Sequence, residues 1–286
     1  MLFSYLMDVN FSSYETIYHL YGFSEPASEK MYTIIEMYHN TAIILSYIFV
    51  VIFVIIGLSI KLFRADVNRI AISFDKRVEY LLDALFVIAP IIIVYYLTIP
   101  AVSFILHSDR MSAQADTLFS IEIVGHQWYW SYFISAINSN YLFNLCYLIS
   151  DESLIHEAYG QTITLEFDQM IDNEVDVLTR CFEVNKHLIL PVNERIRCFI
   201  TSEDVIHSWA LPQLGIKVDA IPGRVQAFML SSLKTGVFYG QCSELCGVNH
   251  AFMPIVVEFV ELESFFDWLL KETKYRPYKA LLQNLF

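Results

Sequence analysis

Two stretches of the chain run without a charge for the length of a membrane crossing. Thr41–Ile60 is uncharged for twenty residues and Ala84–Leu106 for twenty-three. At about 1.5 Å per helical residue, either one spans a hydrocarbon core of about 30 Å. The pattern predicts membrane helices over about 38–62 and 82–106. Pro90 and Pro100 fall inside the second, where neighbouring helices can re-satisfy the freed carbonyls. After His107 the apolar runs shorten. "SIEIVGHQWYWSYF", "QTITLEF", "HLILP", "RIRCFIT", "VQAFML", "GVFYGQ" and "IVVEFV" are rich in β-branched and aromatic residues. Turn signals such as Pro191–Asn193, Pro222–Gly223 and Lys234–Gly236 separate them, which predicts an antiparallel sandwich or barrel. A last helix is expected over roughly Glu261–Lys274, with Phe265, Trp268 and Leu269 on one face. The stretch 133–160 reads as an inserted, partly helical excursion. The organisation is therefore an N-terminal segment with a helical hairpin over 1–110, and a strand-rich domain over 111–286 with an insertion at about 133–180.

Charge adds an orientation. The loop between the apolar runs holds Lys61, Arg64, Arg69, Lys76 and Arg77, whereas the first forty residues hold one base, Lys30, and five acids. The positive-inside rule puts that loop on the matrix or cytoplasmic side and both termini on the other. Residues 107–286 carry 12 Lys+Arg and 22 Asp+Glu, most of the chain's net −13. Such an acidic module excludes nucleic acid as a partner and suits a basic one. The chain is 56% hydrophobic over 286 residues, as expected for a protein held in a lipid bilayer. Its first apolar run begins too late for a signal peptide, and the N-terminus is not the Arg-rich kind of transit peptide. Insertion from the compartment of synthesis is expected. Heavy use of Phe and Tyr beside 9 Gly and 8 Pro fits an AT-rich, organellar genome.

Five cysteines stand at 146, 181, 198, 242 and 246. An odd count without even spacing argues against a disulfide framework and leaves room for a metal. "CSELCGVNHAFM", from Cys242 to Met253, gathers two cysteines, a histidine and a methionine in twelve residues. Thiolate and thioether are soft ligands that select copper over magnesium, calcium or manganese. Alone, Cys242, Cys246 and His250 also suit zinc. Met253 is a poor zinc ligand and a common weak axial ligand of electron-transfer copper. His207, in "DVIHSWALP", lies upstream at an expected strand end. The order His, long gap, Cys, His, Met is that of a copper β-sandwich. A single copper needs one cysteine; a second thiolate lets two sulfurs bridge two ions.

"QCSELCGVNHAFMP", "SEDVIHSWALPQLGIKVDAIPGR" and "VGHQWYWSY" resemble the signature segments of cytochrome c oxidase subunit II, over about 36–132 and 178–270. The N-terminus is longer than the family pattern, the stretch from Phe133 to about Arg180 is longer, and the C-terminal tail is short. The resemblance implies an α+β membrane protein, a two-helix transmembrane hairpin followed by a cupredoxin-like β-sandwich or barrel domain. It implies a dinuclear copper centre held by His207, Cys242, Cys246, His250, Met253 and the backbone carbonyl of Glu244. The Glu244 side chain is expected to reach a magnesium ion shared with subunit I, a hard ligand for a hard cation. Trp128 is the ring through which electrons enter from cytochrome c; Trp130 and Tyr132 read as packing.

Asp204 matches a docking acid for basic cytochrome c, with Glu203 beside it. Two other family acids fall on Phe133 and Asn185, so either the docking patch has moved, with Glu166, Asp168, Asp172, Glu174 and Asp176 as candidates, or the partner differs. Asp83, seven residues before Pro90, falls where the resemblance implies a glutamate at the mouth of a proton path. The implied work is electron transfer from cytochrome c to the haem of subunit I, for proton-translocating reduction of oxygen. The implied place is the mitochondrial inner membrane, among other subunits of the complex, with the copper domain in the intermembrane space. A membrane-tethered copper assembly factor is the alternative, but such proteins set their cysteine pair in a thioredoxin-like βαβ unit. A quinol-oxidase homologue lacks these ligands, and the chain has no room for the catalytic domain of nitrous oxide reductase.

Overall fold

A computed structural model describes residues 22–64, 66, 75–114, 117, 119–135, 164–172 and 181–272. The chain divides into two compact units, one spanning Thr33–Arg110 and the other combining the N-terminal segment with Met111–Phe286. The first unit contains most of two long helices, α1 (Glu29–Leu62) and α2 (Lys76–Gln114). Both run past the uncharged windows, because a helix continues into the interfacial regions beyond the apolar core. Their apolar windows bury no residue against protein, and both are long enough to cross a membrane. Ile52, Phe53, Ile92 and Tyr95 are among the large side chains left exposed. Asp83 is exposed on α2.

The second unit is a strand-rich fold. β1 (Ser120–His126) and β2 (Tyr129–Ser135) form an antiparallel hairpin closed by the turn Gln127–Trp128. β3 (Leu165–Gln169) joins the outer edge of β2. It is the described part of the expected insertion; 136–163 and 173–180 lie outside the described residues, as do Glu174 and Asp176. β4 (Leu188–Pro191) and β5 (Ile196–Ser202) follow. Next come β6 (His207–Leu211), β7 (Ile216–Ala220), β8 (Gln226–Leu230), β9 (Gly236–Gln241) and β10 (Pro254–Val260). One sheet has the order β3-β2-β1-β5-β8, a second β4-β10-β9, and β6 pairs with β7. Alternation decides the faces: β5 reads buried, half-buried, buried along its whole length, the pattern of a strand with one face on a core. Ile121, Ile123, Cys198 and Ile200 of the first sheet join Leu188, Leu190, Ile255 and Val257 of the second in one buried cluster.

The last helix, α3 (Leu262–Glu272), adds Phe265 and Leu269 to that cluster, while Trp268 packs against it half-buried. Lys274, expected in this helix, lies outside the described residues. The segment before α1 also belongs to this unit, a placement the sequence pattern did not give. The Ala27 N–H donates to the Gln213 carbonyl at 3.0 Å, and the Ala27 carbonyl accepts from the Leu233 N–H at 2.7 Å. Ser28 caps α1 by accepting from the Met31 N–H at 3.1 Å and donates to the Leu214 carbonyl at 2.7 Å. Lys234 pairs with Glu25 on the same edge.

Topology gathers the turns that matter at one end. β1 runs parallel to β5, with Gly125 opposite Ser202. The turns that leave these strands, Gln127–Trp128 and Glu203–Ile206, therefore emerge side by side. β9 and β10 are antiparallel with Gln241 opposite Pro254, so residues 242–253 form their connecting loop.

Candidate metal centre

Two elements deliver the donors. His207 opens β6, a strand with all five residues buried. The loop 242–253 starts where the Ser243 N–H donates to the Ser208 carbonyl at 2.9 Å, which lays it against β6. It ends in a 3-10 turn, His250–Phe252. Gly240, just before the loop, allows this approach: a Cβ there would sit 1.9 Å from the Ala210 carbonyl oxygen.

His207, Cys242 and Cys246 are all buried, and a donor atom of each lies within 4.8 Å of the others. Cys242 Sγ is 4.0 Å from His207 Nδ1 and 4.0 Å from Cys246 Sγ. Cys246 Sγ is 3.5 Å from His250 Nδ1 and 3.4 Å from Met253 Sδ. The Glu244 carbonyl oxygen is 3.4 Å from Cys242 Sγ. All six expected donors thus meet in one place. Two sulfurs 4.0 Å apart are far beyond a disulfide bond of about 2.05 Å. They are also closer than twice a metal–thiolate bond of about 2.3 Å. Both thiolates could therefore serve one metal site without moving apart. Two thiols, two imidazoles and a thioether make a soft donor set, which suits copper. Among the described residues the pair sits on a β9–β10 loop and not in a βαβ unit, which disfavours an assembly factor.

Electrostatics around the donors is set by hydrogen bonds. Burial lowers the pKa of His207, but its contacts with Cys242 and Asp204 outweigh burial and leave it raised. Burial raises that of Cys242, yet the bond to His207 and nearby backbone bring it down. Burial and the neighbouring Cys242 push Cys246 up. A metal must displace protons from these thiols to bind. Cys198, by contrast, is sealed inside β5 and burial alone pushes its thiol up, the state of an inert core cysteine.

Asp204, expected on a docking surface, faces the site. One oxygen lies 2.8 Å from His207 Nε2. The carboxylate also accepts the N–H groups of Val205 and Gln127, each at 2.6 Å. An Nε2–H donated to Asp204 leaves the Nδ1 lone pair facing Cys242, the tautomer a metal needs. The i, i+3 spacing ahead of His207 was the available signal for this role. Glu203 stays outside, with 74% of its side chain exposed and His126 3.6 Å away.

Trp128 is half-buried in the β1–β2 turn, and its indole N–H donates to the Cys246 carbonyl at 3.3 Å. It lines a surface cavity of about 540 Å³ with Tyr129, Met170, Ile171, Asn249 and Phe252. Trp130 and Tyr132 are fully buried, Trp130 edge-on to His207 at 5.8 Å. Phe133 pairs across β2–β3 with Glu166, and paired residues share a face. Asn185 accepts from the Met170 N–H at 2.8 Å, so it pins the 170–172 segment. Glu244 is exposed.

Comparison with known proteins gives the family. The family model for the periplasmic domain of cytochrome c oxidase subunit II matches residues 119–260. Cytochrome c oxidase subunit 2 of Phytophthora megasperma is 36% identical over 248 residues, covering 87% of this chain and 85% of that protein. The Zea mays protein of the same name is 34% identical over 251 residues, with 87% of each covered. Among solved structures, the periplasmic domain of subunit II of cytochrome oxidase (CoxB) of Bradyrhizobium japonicum is 38% identical. That match covers 56% of this chain and 96% of that chain, with a TM-score of 0.44. More than a third identical to a relative across most of both chains, this membrane-borne subunit of a respiratory haem–copper oxidase belongs to the cytochrome c oxidase subunit II family.

Proposed function

We propose that this chain receives electrons one at a time from cytochrome c at a dinuclear copper centre and passes them to the haem of subunit I. The observation that carries the reading is the convergence of His207, Cys242, Cys246, His250, Met253 and the Glu244 carbonyl around two sulfurs 4.0 Å apart. Bound there, a copper pair supplies a centre that accepts one electron and releases one. The protein holds the donors still: β6 fixes His207, Asp204 fixes its tautomer, and the loop fixes both thiolates. Little has to move when charge arrives, which is the condition for fast transfer.

Trp128 is the receiving ring. Its indole N–H donates to the Cys246 carbonyl, on the same residue as a thiol that would hold the copper, and the ring lines an open cavity. Basic cytochrome c docks around it on acids that include Glu203 and the exposed β3 pair Glu166 and Asp168. Glu166 stands opposite Phe133, so the family's charge has moved one strand over. The exposed Glu244 carboxylate faces subunit I and contributes to a magnesium site there, while Asp83 on α2 marks the mouth of a proton path. The α1–α2 hairpin anchors the chain in the mitochondrial inner membrane, with the copper domain in the intermembrane space.

The test is EPR and near-infrared spectroscopy of the purified oxidase containing this chain. A mixed-valence two-copper signal is expected, abolished in Cys242→Ser and in Cys246→Ser. A single-copper signal, or zinc in its place, defeats the reading.

A further inference from the structure

His207 and Cys246 come from segments nearly forty residues apart, and two residues outside the ligand set, Asp204 and Gln127, tie them together. His207 Nε2 lies 2.8 Å from Asp204 Oδ1. The other oxygen of that carboxylate accepts the backbone N–H of Gln127 at 2.6 Å. The Gln127 side chain then donates from Nε2 to the Cys246 carbonyl at 2.7 Å. Resting on the copper reading above, we propose that Gln127 is a positioning residue of the electron-transfer centre. It locks the histidine segment to the cysteine loop and sets the centre's reduction potential.

Three features separate this from an ordinary turn glutamine. Gln127 is exposed at its surface, and a solvated side chain would spend its donors on water; here the amide is committed to one carbonyl. That carbonyl has a second donor, the Trp128 indole, at 3.3 Å, so the short bond of the two belongs to Gln127. The loop is also pressed onto it. Gly247 has φ +122°, and a Cβ there would come 3.2 Å from Gln127 Nε2 and 3.2 Å from the Trp128 ring. Only glycine takes that backbone conformation without strain. The β1–β2 turn thus serves two purposes with consecutive residues: Trp128 receives the electron and Gln127 holds the carbonyl toward which it moves.

Electrostatics gives the direction of the effect. An N–H dipole aimed at the peptide of a cysteine that would hold the copper places partial positive charge beside a site that gains an electron. Hydrogen-bonding partners outside the ligand set tune a metal in this way. Losing that donor favours the oxidised state. Gln127→Met keeps the length of the side chain and removes the donor. Gln127→Glu keeps its shape and offers only acceptors when ionised, set against a carbonyl.

The experiment uses the assembled oxidase carrying each variant, with copper per complex counted by metal analysis and the potential read by near-infrared redox titration. Both variants should retain two coppers in this subunit. In Gln127→Met the reduction equilibrium should shift toward the oxidised form by about tenfold, a fall of about 59 mV for a one-electron couple. Gln127→Glu should fall at least as far. The copper hyperfine pattern in EPR should change in both. A merely structural glutamine would lower assembly or melting temperature yet leave the potential of the surviving centres untouched, and wild-type potentials in both variants overturn the proposal. If Gln127→Met does not assemble, Gln127→Glu carries the same comparison. A wild-type complex without the mixed-valence signal instead defeats the copper reading itself.

Discussion

Gly125 and Gly240 both sit where a side chain would collide, and what each collision meets decides its consequence. A Cβ on Gly240 would land 1.9 Å from the backbone oxygen of Ala210, a strand atom with nowhere to go. A Cβ on Gly125 would meet the His207 ring at 2.9 Å and Trp130 at 3.1 Å, buried rings that can give by a few tenths of an ångström where strand backbone cannot. Gly240→Ala should therefore destabilise the fold, by about 3 kcal/mol or more at the upper end of overpacking costs. It should appear as loss of assembled oxidase. Gly125→Ala should cost about 1–3 kcal/mol and leave the complex assembled. Its mark should be a changed copper EPR signal, because the displaced imidazole is a proposed ligand. Equal stability of the two variants, or an unaltered signal in Gly125→Ala, would contradict this division.

Among the elements, β4 and β10 are held by more than their parallel backbone ladder. His187, just before β4, puts Nε2 2.7 Å from Glu183 and Nδ1 3.2 Å from Glu258 on β10, while Tyr239 of β9 donates to Glu183 at 3.3 Å. The hydrogen bond to Glu183 raises the His187 pKa above 6.5, and the same bond lowers that of Glu183 below 4.5. The histidine's contribution is whole below 6.5 and disappears as pH rises through its raised value. The glutamate's is whole above 4.5 and disappears as pH falls through its lowered value. The stability lost in His187→Gln should thus be greatest between 4.5 and 6.5 and shrink toward alkaline pH. Thermal melts of both proteins across a pH series measure it, and a pH-independent difference would remove the bridge from the account. These elements also mark what was legible in the sequence. The two helices, the hairpin and most strands announced themselves through apolar runs and alternation. β7, "IKVDA", alternates apolar and charged residues as well and adds a strand to those expected. The ligands were legible because the loop concentrates their chemistry. Gln127 was not, since its role depends on bonds to residues 77 and 119 positions away, and only the parallel pairing of β1 with β5 brings those together.

For the molecule as a whole, charge is the property that organises partners. Residues 107–286 hold 12 Lys+Arg against 22 Asp+Glu, while the apolar windows of the hairpin are left to lipid and neighbouring subunits. A net negative module steers a basic carrier and accelerates encounter more than it tightens the bound state. Within that field Asp204 is partly spent: its carboxylate is tied to His207, Gln127 and Val205. Glu166 and Asp168 alternate with buried Leu165, Phe167 and Gln169 along β3, so their charges share the outer face. Asp168 accepts from the Ser131 hydroxyl at 2.6 Å on β2, which fixes its carboxylate near the Trp128 turn. Glu166→Gln and Asp168→Asn should each raise KM for cytochrome c by about two- to fivefold at low ionic strength, the scale of exposed charge pairs. The maximal rate should stay unchanged, since neither side chain touches the copper donors. Above about 0.1 M salt, where screening falls within about 10 Å, variants and wild type should converge. Asp204→Asn should behave differently, altering the copper EPR signal at every salt concentration because its main partner, His207, is a proposed ligand. If the β3 variants instead match wild type at low salt, the docking acids lie elsewhere on this face. Were Asp204→Asn to change only KM, its carboxylate would be a docking group after all.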